Sequence, residues 1–290
     1  RLEQAQGDTI GMEADKILDA AWLQKELQNL RTRAPLVLNL TNLVAVNFTA
    51  NALLALGASP LMSSSSQEVQ ELLGISQALL LNIGTPHQKQ LQAMQLAGQE
   101  ASRLGLPVVL DPVGAGASRM RTETALGFLR AGWVSILRAN PSEVLNLAGQ
   151  AGESKGVDSL HSGQQALQAG RDLGRRFGCL VCISGAQDYV LGPDREYILN
   201  NGDELMGKVT AMGCVASSLV AAFAGVQKDL QLAATAGLAA TGIAGELAAA
   251  GVRGPGSLQQ NFLDQLYHLG PQGMQGLDIQ IANELLDESR

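Results

Sequence analysis

Aromatic side chains are nearly absent. Two Trp, three Tyr and five Phe make up 3% of the 290 residues, too few to build the stacking platforms that hold single-stranded nucleic acid. Charge is sparse as well, at 16%, and it leans acidic, with a formal net charge of −7. No basic stripe runs along the chain, so a nucleic-acid partner is not expected. Cysteine occurs three times, at Cys179, Cys182 and Cys214. An odd, low count argues against a disulfide framework and for a reducing, cytoplasmic compartment. Cys179 and Cys182 form a C-x-x-C, but they lie in an expected strand, where residues three apart face opposite sides. His87, His161 and His268 are scattered and suggest neither a metal cluster nor a catalytic triad. The first fifteen residues are polar and hold no apolar signal core. They read as a flexible tail, 1–15, ahead of a single domain, 16–290. Long apolar runs are missing too. Residues 213–226 and 232–252 are mostly small, and Glu246 interrupts the second, so buried helices are expected there and no membrane span.

What is present is a large aliphatic and small-residue fraction: 46% of the chain is hydrophobic and 33 residues are Gly. Apolar residues recur at helical spacing over 15–33, and Pro35 ends that pattern. Strands are then expected at 36–40, 59–62, 78–83, 107–110, 134–137 and 180–184. Helices are expected at 48–56, 68–75, 88–104, 122–130, 142–148 and 166–177, with Ser65 and Glu68 spaced as a capping box. A hairpin is expected over 189–199, and helix from there to near the end. This alternation predicts an α/β fold with a mainly parallel central sheet flanked by helices. Ligands in such folds bind beyond the carboxyl ends of the strands. Asn39, Asn82, Asp111, Asn140 and Ser184 all stand at such ends.

Four segments could carry chemistry. Val209-Thr210-Ala211-Met212-Gly213-Cys214 turns tightly into a small-residue helix, whose first N–H groups and dipole can hold a phosphoryl group. A thiol in that first turn has a lowered pKa and could help remove a hydroxyl proton, or Cys214 is simply a small core residue. Asp111-Pro112-Val113-Gly114-Ala115-Gly116 brings a carboxylate to the sheet edge beside a glycine loop. Its spacing is neither a dinucleotide fingerprint nor a P-loop. Asn140 and Glu143 could face hydrated Mg²⁺, although without other evidence a helix capping box is the better reading. Asn39-Leu40-Thr41-Asn42 with Asn47 could orient a polar heterocycle, or be an ordinary turn cluster. Arg119 and Arg121 could pair with nucleotide phosphates or be exposed helix-start arginines.

In their order along the chain these segments resemble the hydroxyethylthiazole kinase family. The stretches that carry the resemblance are Thr41-Asn42-Leu43-Val44, the run from Asn47 to Pro60, Asn82-Ile83-Gly84-Thr85, Leu110-Asp111-Pro112-Val113-Gly114-Ala115-Gly116, Arg121-Thr122-Glu123, Asp188-Tyr189-Val190 and Gly254-Pro255-Gly256-Ser257. The resemblance implies a ribokinase-like fold and ATP-dependent phosphorylation of 5-(2-hydroxyethyl)-4-methylthiazole in thiamine salvage. It also implies Mg²⁺ and a homotrimer with active sites between subunits. By position, Cys214 with Met212 and Gly213 would be catalytic. Arg121, Ser184 and Asp111 would serve ATP; Val46, Ala211 and Asn42 the thiazole; Asn140 and Glu143 the metal. The family usually has Gly-Thr-Gly-Cys where this chain has Ala211-Met212-Gly213-Cys214, and often Met where Val46 stands. Two other outcomes remain open: a related kinase with a different small alcohol, and a non-catalytic homologue that binds thiazole or nucleotide.

Overall fold

A computed structural model describes residues 18–149 and 159–282. The expected tail over 1–15 lies outside the described residues.

Among the described residues nine strands form one sheet: β1 (Leu36–Leu40), β2 (Ser59–Met62), β3 (Ala78–Asn82), β4 (Val108–Asp111), β5 (Ile136–Ala139), β6 (Leu180–Ile183), β7 (Asp188–Leu191), β8 (Glu196–Leu199) and β9 (Ile279–Ile281). Their spatial order is β2-β1-β3-β4-β5-β6-β7-β8-β9. The first six in that order are parallel and the last three antiparallel. The central strands are covered on both faces, which is why they read as unbroken apolar runs instead of alternating patterns. Every residue of β3, for instance, is buried.

Among the described residues ten α-helices cover the sheet: α1 (Ala20–Arg33), α2 (Val46–Leu56), α3 (Val69–Ile75), α4 (Gln88–Leu104), α5 (Arg119–Arg130), α6 (Pro141–Leu147), α7 (Ser159–Phe177), α8 (Met212–Ala224), α9 (Leu230–Ala249) and α10 (Pro255–His268). One apolar cluster joins the sheet to α1, α2, α8, α9 and α10. A second joins the other face to α3 through α7. Small residues let α8 and α9 cross almost backbone to backbone: a Cβ on Gly237 would stand 2.6 Å from Val220 Cα. Helix α9 is long and apolar enough to cross a bilayer, but it is wrapped by the molecule, buried at all but a few positions near its ends.

Several expected elements shift. Helix α1 begins after Asp19, whose Oδ1 accepts the Trp22 N–H at 2.9 Å. The capping box expected at Ser65 and Glu68 does not form. The Ser63 hydroxyl instead donates to Glu68 Oε1 at 2.5 Å, occupying the carboxylate that the box would need. Strand β5 lies two residues later than the expected 134–137, which moves Arg138 into the sheet. The expected helix to near the end gives way to β9, paired antiparallel with β8 through Tyr197 and Ile281.

Candidate active site

The chain passes from β1 to β2 on one side and then to β3 on the other, so a crevice opens where the strand order reverses. Asn42 follows β1 there, while Asn82 and Asp111 end the neighbouring strands β3 and β4 in direct register. The N-terminus of α8 packs over the same strands. Four buried side chains join in a line. Asp111 Oδ2 accepts from Asn82 Nδ2 at 2.8 Å, Asn82 Oδ1 accepts from Asn42 Nδ2 at 2.8 Å, and the same Asn42 amide donates to Cys214 Sγ at 3.4 Å. Backbone groups fix the direction of this line. Asn42 Oδ1 accepts the Val44 and Ala45 N–H groups, and Asn82 Oδ1 accepts that of Gly84. Both amide nitrogens must therefore point onward as donors.

Helix α8 contributes polar residues at helical spacing. Ser217 Oγ donates to Asp111 Oδ2 at 2.8 Å, and Ser218 Oγ meets Asn39 Oδ1 at 3.2 Å. Sequence reasoning passed over both serines. Their signal was a polar stripe with Cys214, at i, i+3 and i+4, on an otherwise apolar helix.

Burial pushes Asp111 up to about 7, against the pull of the Arg138 charge and the Ser217 and Asn82 hydrogen bonds. Cys214 does not behave as expected for a thiol in a first helical turn. Desolvation, and then the charge of Asp111, push it up to about 11, despite the amides of Asn82 and Asn42 and the Arg138 charge. Burial outweighs the helix dipole here, so the thiol stays protonated at neutral pH.

No side chain caps α8. The N–H groups of Met212, Gly213 and Cys214 precede the first intrahelical bond, from Val215 N–H to Ala211 O, and are left facing outward. Ala211 turns the chain into the helix at φ 67°. This left-handed conformation costs a residue with a Cβ about 1–2 kcal/mol. Met212 is 7% exposed and packs into the core.

Beside this turn lies a cavity of about 590 Å³, walled by Arg138, Ser184, Asp188, Asn201, Met212 and Gly213 among others. Arg138 Nε donates to Ser184 Oγ at 3.1 Å. Asp188 is linked to the same hydroxyl and to the Gly185 N–H, and burial raises it to about 6. Arg138 had not been singled out as a site residue. Its signal is a lone cation in an apolar strand, hidden when the strand is ended at Leu137.

Residues 27–272 match the sequence profile of the hydroxyethylthiazole kinase family. The hydroxyethylthiazole kinase of Oleidesulfovibrio alaskensis is 45% identical over 260 residues, covering 90% of this chain and 96% of its own. That of Granulibacter bethesdensis is 50% identical over 256 residues, covering 87% and 93%. The chain belongs to the hydroxyethylthiazole kinase family. Among solved structures, the hydroxyethylthiazole kinase protein of Pyrococcus horikoshii superposes with a TM-score of 0.83 at 36% identity, covering 90% of this chain and 99% of that one. A pyridoxal kinase from Staphylococcus aureus, at 14% identity and a TM-score of 0.61, shares the ribokinase-like fold.

Several residues singled out by their resemblance to the family already have internal partners. The Arg121 guanidinium clamps two loops, donating to Ile83 O, Val113 O and Gly84 O at 2.7–2.9 Å. Two of its five N–H groups remain for a ligand. Arg119 is exposed. Asn140 and Glu143 form the capping box of α6. Glu143 Oε1 also accepts the Gly114 N–H at 2.9 Å, tying α6 to the glycine loop after β4. Val46 and Ala211 are partly buried at the starts of α2 and α8.

Proposed function

We propose that this protein is a hydroxyethylthiazole kinase that moves the γ-phosphoryl group of ATP to the hydroxyl of 5-(2-hydroxyethyl)-4-methylthiazole, releasing ADP, in thiamine salvage. The observation that carries this reading is the uncapped N-terminus of α8, set between the Asp111–Asn82–Asn42–Cys214 line on one side and the 590 Å³ cavity on the other. The nucleotide occupies the cavity past Ser184, with its phosphates toward Gly213 and Arg121. The alcohol arm lies over Cys214, flanked by Asn42, Val46 and Ala211. The alcohol oxygen attacks the γ-phosphorus, and the bond from that phosphorus to the β,γ-bridging oxygen breaks. ADP leaves with the electron pair. The hydroxyl proton passes to an oxygen of the new phosphate ester, whose second pKa is about 6, and then to water. A loose phosphoryl transfer asks little of a base, so the protonated Cys214 thiol positions the hydroxyl. The outward N–H groups of Met212, Gly213 and Cys214 hold the phosphoryl oxygens.

Mg²⁺ fits this site through water. Asp111 and Glu143 are close enough for the charge of Glu143 to raise the Asp111 pKa, and a hard cation suits such a pair of oxygen donors. Each Glu143 oxygen holds one backbone N–H and keeps a second lone pair for a metal-bound water. Asn140 spends its side-chain oxygen on the Glu143 N–H at 2.9 Å. Among the described residues no group of three or more His, Cys, Asp or Glu forms a protein-only metal cage. Bound there, Mg²⁺ would neutralise phosphate charge.

The working assembly is a homotrimer, and residues 16–290 act as one domain, in keeping with the unbroken sheet. Leu43 and Val44, beside Asn42, are 78% and 60% exposed, as expected of apolar side chains that a neighbouring subunit covers. Three free cysteines suit a cytoplasmic setting. A second reading, a kinase of another small alcohol, rests on Val46, which is partly buried at the start of α2 where the alcohol is placed. The deciding assay follows ADP release from ATP and Mg²⁺ with and without the thiazole alcohol. Turnover that depends on this alcohol is expected. Turnover only with other alcohols selects the second reading, and none with any alcohol rejects both.

A further inference from the structure

Gln90, in the first turn of α4, is a polar side chain on an apolar face. The other buried residues of that helix are Ala93, Met94, Ala97, Gly98 and Ala101. Gln90 is only 3% exposed. Its Nε2 donates to Thr41 O at 2.6 Å. Its Oε1 has no partner among the described residues, and neither has the buried Thr41 Oγ1. Turning the amide over brings no relief, because Oε1 would then face the Thr41 carbonyl oxygen. A buried acceptor left unpaired is costly, and an apolar side chain of the same length would avoid that cost. Helix α4 does not need the amide, since His87 Nδ1 already caps it by accepting the Gln90 N–H at 3.3 Å. What the side chain secures is one carbonyl group.

That carbonyl belongs to the peptide unit that leads into Asn42. On the other side of Asn42, the Leu43 N–H donates to Thr85 Oγ1 at 3.0 Å. The connection from β3 into α4 thus grips the chain on both sides of Asn42. Asn42 Oδ1 holds the Val44 and Ala45 N–H groups, which shapes the turn internally. Gln90 ties that turn to α4 and so sets the entry of α2, which no side chain caps. There is little slack between the two loops: a Cβ on Gly84 would lie 2.5 Å from Asn42 Nδ2. A shift of the Thr41–Asn42 peptide must therefore move the amide that donates to Cys214 Sγ.

We propose that Gln90 is a positioning residue for the alcohol. Too deep to touch a ligand, it holds the Thr41 carbonyl and thereby sets Asn42 and Val46 against Cys214 at the phosphoryl turn. This role rests on the kinase reading above. The unpaired Oε1 is the stability given up for a fixed acceptor side, since a misplacement of about 1 Å can cost on the order of 10²-fold in rate.

The test compares the parent with Gln90→Met, which keeps the length and removes both the donor and the unpaired acceptor. Its kcat/KM for the alcohol is expected to fall by about 10–100-fold, with the KM for ATP and calorimetric ADP binding within about twofold of the parent. Its urea midpoint should be no lower than the parent's. Hydrogen exchange should quicken in the peptide covering residues 41–46 and stay unchanged in α4 beyond its first turn. An alcohol kcat/KM within about threefold of the parent, unchanged exchange at 41–46, or a lower midpoint with equal losses for ATP and alcohol overturns the proposal. Should Gln90→Met not fold, Gln90→Leu decides by the same readouts. A parent that turns over no alcohol sinks the kinase reading and this role with it, whereas an active parent with an unaffected variant sinks only the role given to Gln90.

Discussion

Cys214 shows how a residue that stands out in the sequence can change its chemistry in the fold. The spacing placed it at a helix start, where thiols become acidic, but desolvation and the charge of Asp111 outweigh the Asn42 and Asn82 amides and the Arg138 charge around it. With a pKa of about 11, its thiolate fraction at pH 8 is roughly 10²-fold below that of an ordinary exposed cysteine. Alkylation by iodoacetamide, followed by mass spectrometry, is expected to be slow at pH 8 and to accelerate only above about pH 10. Rapid labelling at pH 7 would restore the thiolate. Asp188 makes a second prediction. Its folded pKa of about 6 lies above the unfolded value of about 3.9, so the native state holds the proton more tightly. The stability this group contributes is full below about pH 4 and is lost as pH rises through 6. Asp188→Asn keeps an oxygen for the Gly185 N–H and removes that slope. In urea titrations the variant should match the parent near pH 4 and exceed it by about 1–2 kcal/mol at pH 7.5; a less stable variant at pH 7.5 would contradict this account.

Most elements could be read from the sequence because each carries its own periodicity, and the strand ends bearing Asn82 and Asp111, with Asn42 in the cluster after the first strand, followed from them. The line that joins those residues could not be read. It links positions 40, 29 and 172 apart, and only the strand order brings them together. Arg138 was lost to a two-residue error in β5, since ending the strand at Leu137 made it a loop cation. Strand β9 has three residues, too few to show alternation. Arg121 spends most of its donors on carbonyl oxygens, which no side-chain pattern reveals. Helices α8 and α9 make a prediction of their own. Gly237 admits no side chain beside Val220, so Gly237→Val should cost about 3 kcal/mol or more through overpacking. It should also lower turnover by tilting the turn at Gly213. A change in unfolding free energy of under about 0.5 kcal/mol from urea titration would show that the crossing is looser than described.

For the whole molecule, the proposed trimer would put assembly and catalysis on one surface, because the exposed Leu43 and Val44 directly follow Asn42. Mass photometry is expected to show three copies of the 30.3 kDa chain. Leu43→Asp should dissociate them and raise the KM for the alcohol, while ADP binding in the cavity on the far side of α8 stays intact. A monomeric parent with full activity would refute both the trimer and the shared site.

The antiparallel end of the sheet carries a consequence in time. Asn201, in the wall of the 590 Å³ cavity, is anchored by residues made much later: its Nδ2 donates to Gly276 O at 2.7 Å, and its Oδ1 accepts the Asp278 N–H at 2.8 Å. During synthesis the alcohol side of the crevice can assemble once α8 has left the ribosome. The cavity wall at Asn201 must wait for the 54 residues from the end of α8 to Asp278, about 3–11 s at ordinary elongation rates. With the nucleotide placed as proposed, a nascent chain would complete its acceptor side before it could hold ATP firmly, and nucleotide consumption would wait until the sheet is closed.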